Sequence, residues 1–273
     1  MSTYQTLSNG VKIPMIGFGV FQTKSGDETV NAVKWAIEAG YTHIDTAFIY
    51  GNEESVGQAI KESGIARGKL FVTTKLWNAC IREGTTKEAF YKSLENLQLD
   101  YIDLYLIHWP TQGRNEAWKV MEELYEEGKI KAIGVSNFQK HHYEELMQTA
   151  KIKPMVNQIE SNPRFNNDEL IEFCKEQGIV VEAWSPLGGN GTSMLGNETL
   201  IKIGEKYGKS AAQVVIRWNI QKNVVVLPKS ANKGRIAQNI DVYDFELTKE
   251  DMDTITELNQ NTRSGADPDN FNF

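Results

Sequence analysis

Four side chains in the first 108 residues can together move a proton: Asp45, Tyr50, Lys75 and His108. A tyrosine hydroxyl has an ordinary pKa of about 10 and is a poor acid at neutral pH. A lysine ammonium held about 4 Å away favours the phenolate by up to about 4 kcal/mol at an effective dielectric of about 20. That corresponds to about three pKa units, enough to make Tyr50 a usable general acid. Lys75 then needs an anion to keep it charged and placed, and Asp45 is the carboxylate available. His108 can orient a carbonyl oxygen or share its proton. Taken singly each residue is weak evidence, because a strand histidine is more often a core residue and a buried Asp–Lys pair is often structural. The set gains weight from where its members fall, at or just after the ends of short apolar runs.

Those runs alternate with amphipathic stretches nearly end to end. Ser8-Asn9-Gly10, between Tyr4–Leu7 and Val11–Ile13, reads as a hairpin turn. Core strands are expected at Gly17–Val20, His43–Asp45, Leu70–Lys75, Ile102–Ile107, Ile130–Ser136, Met155–Glu160, Val180–Trp184 and Val224–Leu227. Between them Val30, Val33 and Ile37 share one helical face, as do Phe90, Leu94 and Leu97, and Trp118, Met121 and Tyr125. Asn52 is placed to cap a helix over 53–63, Asn167-Asp168 opens one over 168–177, and Thr248 begins the last, with Met252, Ile255 and Leu258 inward. The stretch 197–222 holds two helical segments. Eight strand–helix units in 273 residues predict an α/β fold, a (β/α)8 TIM barrel with an N-terminal β-hairpin and extra helices, as one domain over 1–273. In that architecture functional residues gather at the C-terminal ends of the strands. Successive strand ends carry Asp45 and Tyr50, Lys75 and Trp77, His108 and Trp109, Ser136-Asn137, Gln158 and Glu160, Trp184-Ser185, and Lys229-Ser230.

Composition narrows the partners. Lys plus Arg is 29 and Asp plus Glu is 36, so the net charge is 29 − 36 = −7. An acidic balance argues against a general nucleic-acid or anionic-membrane binder. A small exception is Lys229, Lys233 and Arg235, suited to one phosphate group. Cys80 and Cys174 are too few for a disulfide scaffold or a cysteine-built zinc site, and they read as reduced bystanders. The N-terminus has no signal-peptide pattern, and no apolar run approaches the roughly 20 residues that span a bilayer, so the expected compartment is the cytoplasm. The tail Arg263–Phe273, with Pro268, Phe271 and Phe273, reads as a loop that folds over something.

With these positions in view, the sequence resembles the aldo-keto reductase family. The family pattern Gly-x-x-x-x-Asp-Thr-Ala-x-x-Tyr-x-Asn-Glu matches Gly40–Glu53, and Ile-His-Trp-Pro matches Ile107–Pro110 after Leu99–Tyr105. Gly134–Phe138, Asn157-Gln158, Trp184–Leu187 and Leu227–Ser230 complete six separated motifs in family order, and the resemblance runs from about Thr3 to the end. It implies NADPH-dependent reduction of aldehydes and ketones, with Asp45, Tyr50, Lys75 and His108 as the catalytic tetrad and Tyr50 as proton donor. It also implies that Ser136, Asn137 and Gln158 hold the nicotinamide carboxamide, and that Trp184 stacks on the ring. Ser185 and Leu187 would line the pyrophosphate; Lys229, Ser230 and Arg235 would receive the 2′-phosphate; Gln238 and Asn239 would lie near the adenine. Phe21, Phe48, Trp77 and Trp109, with the tail, would form the substrate pocket. Short loops and a short tail are similar to compact bacterial members, the diketogluconate and glyoxal or methylglyoxal reductases, which implies a broad range of small carbonyls and dicarbonyls and a monomer. One departure is Glu160-Ser161-Asn162-Pro163, where the family commonly reads Glu-x-His-Pro; it bears on the loop after the sixth strand.

Other readings compete. Gly17-Phe-Gly19 starts like a dinucleotide fingerprint, but Gln22 stands where the third glycine belongs. Tyr125 and Lys129 have the Tyr-x-x-x-Lys spacing of short-chain dehydrogenases, yet they lie at the end of an acidic helix. His141-His142 before Glu144 and Glu145 suggests a metal, but adjacent helix residues face about 100° apart, so a solvated helix start is expected and no metal. Alternatives to the reductase are a lyase with Lys75 as Schiff-base amine, and an NADPH-binding sensor or interaction subunit with little turnover.

Overall fold

The computed structural model describes residues 2–189 and 194–273. A short antiparallel hairpin comes first, β1 (Tyr4–Thr6) and β2 (Lys12–Pro14), with Thr6 opposite Lys12. Eight parallel strands follow: β3 (Phe18–Gly19), β4 (His43–Asp45), β5 (Phe71–Leu76), β6 (Ile102–Ile107), β7 (Ile130–Ser136), β8 (Val156–Glu160), β9 (Val180–Trp184) and β10 (Val225–Val226). They are hydrogen-bonded in chain order, and a parallel bridge from Ile16 to Val226 joins the two ends. The result is the expected (β/α)8 barrel. Helices α1 (Asp27–Glu38), α2 (Glu53–Ser63), α3 (Asn78–Arg82), α4 (Thr86–Leu97), α5 (Arg114–Glu126), α6 (Lys140–Leu146), α7 (Asp168–Glu176), α8 (Glu198–Tyr207), α9 (Ala211–Gln221), α10 (Lys233–Ile240) and α11 (Lys249–Thr256) make up the connections and the C-terminal additions.

Burial on both faces explains why the strands read as continuous apolar runs. Every residue of β5, β8 and β4 is buried. Helix faces complete the core: Phe90, Leu94 and Leu97 of α4 and Trp118 and Met121 of α5 are buried against the barrel. Truncating a fully buried ring such as Trp118 costs about 3–5 kcal/mol in cores of this kind. The hairpin plugs the N-terminal end, where Asn9 Nδ2 donates to Lys131 O at 2.9 Å and to Tyr125 Oη at 3.3 Å. Tyr125 is thus a structural residue at the end of the barrel opposite the strand termini that carry the site.

Gly17 also has a packing explanation. A Cβ on Gly17 would sit 2.5 Å from Leu227 Cδ2 and 2.6 Å from His43 Nδ1, so only glycine lets the barrel close there. Asn52 precedes α2 as expected, but its side chain does not cap the helix. It turns inward, donating to Val20 O at 3.0 Å and accepting from Thr46 Oγ1 at 2.9 Å, and so ties the β3 and β4 loops together. Asn167 likewise makes no side-chain cap; its Nδ2 donates to Glu160 O at 3.2 Å.

Strand register places the site. Gly19 pairs with Asp45, Asp45 with Thr73, Ser136 with Gln158, and Gln158 with Glu182. Register partners in a parallel sheet point the same way, so residues far apart in sequence line up along one rim.

Candidate active site

Lys75 is fully buried inside β5, and its ammonium is held on two sides. Nζ donates to Asp45 Oδ1 at 2.7 Å and to Thr46 O at 2.7 Å. Tyr50 closes a one-turn 3-10 helix (Phe48–Tyr50) that brings its ring 5.1 Å from Lys75 Nζ. His108, just past β6, meets the Tyr50 ring edge-on at 5.7 Å and the Trp77 indole at 5.3 Å. The four residues expected to move a proton therefore converge.

Their electrostatics differ from the simple pairwise expectation. Burial works against the Lys75 ammonium, but Asp45, Tyr50 and Glu182 outweigh it and hold its pKa above the usual lysine value. Burial also raises Tyr50, and here Lys75 offsets the effect only in part, so the hydroxyl stays above its ordinary pKa. The pairwise attraction of Lys75 for a phenolate is real, yet desolvation wins in the resting site. Burial, then Lys75, keeps His108 well below the usual histidine value. It is a neutral imidazole that can donate to a carbonyl oxygen, and not a shared acid.

The adjoining strand ends form a second constellation. The Gln158 backbone carbonyl accepts from Ser136 Oγ at 2.8 Å and from Asn137 N at 2.9 Å. Asn137 Nδ2 donates to His108 O at 3.0 Å, and Trp184 Nε1 donates to Asn137 Oδ1 at 2.9 Å. Asn137 and Ser185 adopt left-handed backbone, φ 64° and 47°, which ends each strand abruptly and turns the chain into the mouth. These groups face a cavity of about 760 Å³ that Asp45, Tyr50, His108, Ser136, Asn137, Gln158, Trp184, Ser185, Leu187 and Lys229 line together with Phe21, Trp77 and Trp109. Phe48 does not line it; its neighbour Ile49 does, because the 3-10 turn presents that side chain instead.

Ser230, Arg235, Gln238 and Asn239 do not line this cavity; past Lys229 the chain leads into α10, which carries the last three. Arg235 Nε donates to Ser230 Oγ at 3.3 Å, while Gln238 is exposed and Asn239 buried on the same helix. Lys233 is engaged elsewhere, with Nζ 2.9 Å from Glu38 Oε2, so the basic trio reduces to a pair. Lys229 and Arg235 have no acidic partner among the described residues. Two uncompensated cations beside a serine hydroxyl suit a phosphate, and an indole face beside amide groups suits a nicotinamide. The residues present thus fit NADPH in donor type.

Residues 15–260 match the Aldo/keto reductase family. The chain belongs to the aldo/keto reductase family. It is 55% identical over 268 residues to the 9,11-endoperoxide prostaglandin H2 reductase of Trypanosoma cruzi, covering 97% of this chain and 95% of that protein. It is 54% identical over 268 residues to the glyoxal reductase of Bacillus subtilis, covering 98% and 96%. Among solved structures, it is similar to a Bombyx mori aldo-keto reductase in complex with NADP, at TM-score 0.91, 39% identity and coverage of 97% and 95%. As an aldo/keto reductase the chain is an oxidoreductase.

The tail of this reductase folds over the pocket mouth, as its aromatics suggest. Phe273 stacks on Trp77 at 5.8 Å with 6° between planes, and Phe271 lies 5.2 Å from Trp109. Three anchors hold it. The Glu160 carboxylate accepts from Ser264 N at 2.7 Å, Ser264 Oγ at 2.6 Å and Gly265 N at 3.2 Å. A Cβ on Gly265 would lie 2.3 Å from Trp184 Cη2, so the tail backbone itself buttresses the indole. Asn78 Nδ2 and Arg82 Nη1 donate to Phe273 O at 3.2 and 3.1 Å. Asn162 shapes the adjoining loop: its Oδ1 accepts from Arg164 N and Phe165 N, and its Nδ2 donates to Glu160 Oε1 at 3.3 Å. That local turn stands where the family commonly has a histidine.

The third anchor corrects the expectation for His141 and His142. His141 is exposed as expected, but His142 is buried, and Nε2 of each reaches Asp269 Oδ1, at 2.9 and 3.2 Å. Gln139 N donates to His142 Nδ1 at 3.1 Å, so the His142 proton resides on Nε2 and faces Asp269. With both ring nitrogens committed, His142 offers no lone pair to a metal, although the three groups lie within 4.8 Å. Burial, then His141, pushes His142 down to about 4, so this latch is uncharged at His142 in neutral solution. Asp269→Ala should loosen the tail and raise KM for a small aldehyde about threefold to tenfold, since a hydrogen bond to a charged group is worth about 1.5–3 kcal/mol. Faster proteolysis of the tail, with KM altered and the fold intact, is the expected record; unchanged KM and cleavage rate would remove the latch.

A buried carboxyl that no motif or spacing singles out lies behind the site. Glu182 in β9 is fully buried, and burial, then Asp45, pushes it up to about 8. A free glutamate titrates near 4.3. A group raised in this way stabilises the fold fully below the unfolded value, and that contribution is lost as pH rises through about 8. Glu182→Gln should therefore hold its melting temperature better than wild type between pH 6 and pH 9, by several degrees. Parallel declines in the two proteins would contradict a buried, raised carboxyl.

Proposed function

We propose that this protein reduces small aldehydes, ketones and dicarbonyls to alcohols with NADPH. The observation that carries the reading is the Asp45–Lys75 ion pair set directly behind Tyr50 at the floor of an aromatic-walled cavity. A substrate carbonyl oxygen fits between the Tyr50 hydroxyl and a neutral His108. His108 donates a hydrogen bond that polarises the carbonyl, and Tyr50 gives its proton as negative charge develops on the oxygen. Lys75 stabilises the phenolate left behind, and Asp45 keeps Lys75 charged and placed. Bound NADPH supplies the hydride. Ser136, Asn137 and Gln158 are the groups for its carboxamide, Trp184 for its ring, Ser185 and Leu187 for the pyrophosphate, Lys229, Ser230 and Arg235 for the 2′-phosphate, and Gln238 and Asn239 for the adenine end.

The substrate end is walled by Phe21, Trp77, Trp109 and Phe273, and the cavity's one free cation among the described residues, Lys229, belongs to the cofactor groove. Apolar rings without a cation favour uncharged carbonyls over carboxylate-bearing ones. The name of the Bacillus subtilis relative, a glyoxal reductase, supports small dicarbonyl substrates. The deciding experiment follows NADPH absorbance with a panel of aldehydes and dicarbonyls, glyoxal and methylglyoxal included. Turnover of several is expected; no loss of absorbance with any would overturn the reading.

A further inference from the structure

Glu182 is a fully buried carboxyl in the barrel wall that the proposed chemistry leaves without a task. It does not line the cavity, so it cannot touch substrate. Burying a carboxyl in a strand costs free energy that a valine or leucine would not. Its neighbours are specific. Glu182 Oε2 accepts from Gln158 Nε2 at 3.0 Å, and the same amide nitrogen donates to Asp45 Oδ2 at 2.9 Å. The other oxygen lies 3.7 Å from His43 Nε2. His43 is itself fixed by Thr73 Oγ1 at 3.0 Å, and burial, then Lys75, pushes it down to about 3, so it is neutral and offers no counter-charge. Lys75 reaches the group only as a cation already paired to Asp45. On the β10 side the register partner is Val225.

An amide between two carboxyl oxygens has one possible orientation. Its NH2 must face both acceptors, which leaves Oε1 as the only polar atom of Gln158 for the cavity that Gln158 lines. Asp45 alone would satisfy one amide hydrogen and leave the other to find its own partner. We infer that Glu182 is a positioning residue: it locks the Gln158 amide so that a hydrogen-bond acceptor, and not a donor, faces the nicotinamide carboxamide. The inference rests on the cofactor reading above. An acceptor there matches the carboxamide NH2, while Ser136 and Asn137 remain for its carbonyl. A carboxyl near neutrality suits the task, because either protonation state keeps an oxygen toward Gln158.

The test compares Glu182→Leu, which removes the acceptor, with Glu182→Gln, which keeps one, and adds Glu182→Ala as a smaller truncation if leucine crowds the strand. NADPH affinity is measured by calorimetry, apo-protein stability by thermal melting, and the Gln158 side-chain NH2 resonances by NMR of the apo protein. Leu or Ala should weaken NADPH about tenfold without lowering the melting temperature and should shift the Gln158 amide signals. Gln should bring affinity back to within about threefold of wild type and restore those signals. A merely structural role would lower stability and leave affinity and the amide unchanged, and that result would overturn the inference. The NMR arm needs no cofactor. Unmoved Gln158 signals in both truncations refute the positioning role even if NADPH binds tightly. Moved signals in the truncations, together with a wild-type protein that itself binds no NADPH, refute the cofactor reading instead.

Discussion

Tyr50→Phe should lower kcat for carbonyl reduction by roughly 10²–10⁴-fold while leaving NADPH affinity unchanged, because it deletes one proton and no packing. Among the described residues, the hydroxyl is the only group at the cavity floor that is both protonated in neutral solution and backed by a fixed cation. Burial holds Tyr50 above its ordinary pKa, so the proton is present before reaction. Lys75, kept charged by Asp45 at 2.7 Å, stabilises the phenolate that appears only as the proton leaves. The cation therefore acts more strongly on the transition state than on the resting enzyme, which is where an interaction accelerates a reaction. His108 cannot replace the lost acid, since burial and Lys75 keep it neutral. Single-turnover measurement with saturating NADPH separates the loss from any binding effect. A variant that retains wild-type kcat would show that the proton comes from elsewhere and remove Tyr50 from the mechanism.

The convergence of Asp45, Lys75 and His108 was legible in the sequence, because strand ends in a parallel barrel must share one rim and the apolar runs marked those ends. The direction of the Tyr50 shift was not legible, because desolvation depends on neighbours from several strands. Glu182 was hidden for a related reason: inside a run such as Val180–Trp184 one glutamate looks like an interruption, and only the register with Gln158 reveals its partner. The turn at Phe48–Tyr50 exchanged Phe48 for Ile49 in the cavity because a tight 3-10 turn has a different angular step from a helix. The burial of His142 and the contact of both histidines with Asp269 were not legible, because Asp269 lies more than 120 residues away, on a tail whose path no local pattern fixes. The tail's aromatics were a better guide, since rings near a polar terminus need something to cover.

Replacing Lys229 by Met and Arg235 by Ala together should weaken NADPH by about 10²–10⁴-fold and leave NADH within about threefold. The two cofactors differ by one phosphate on the adenosine ribose. A charge-assisted hydrogen bond to such a group is worth about 1.5–3 kcal/mol, so two lost together give the expected range. The geometry says why these cations and not their neighbour. Lys233 spends its charge on Glu38, whereas Arg235 rests on the Ser230 hydroxyl without an acidic partner, and Lys229 stands at the edge of the cavity. Lys233→Met is accordingly the control and should change NADPH affinity little. Salt separates the effect further: NADPH binding to wild type should fall with ionic strength more steeply than binding to the double variant, because the exposed phosphate contacts are screened. Equal weakening of NADPH and NADH would mean that the pair supports the groove and not the phosphate. Loss of NADPH affinity in the Lys233 variant as well would mean that the Glu38 ion pair yields when the cofactor arrives, making the anion site a trio.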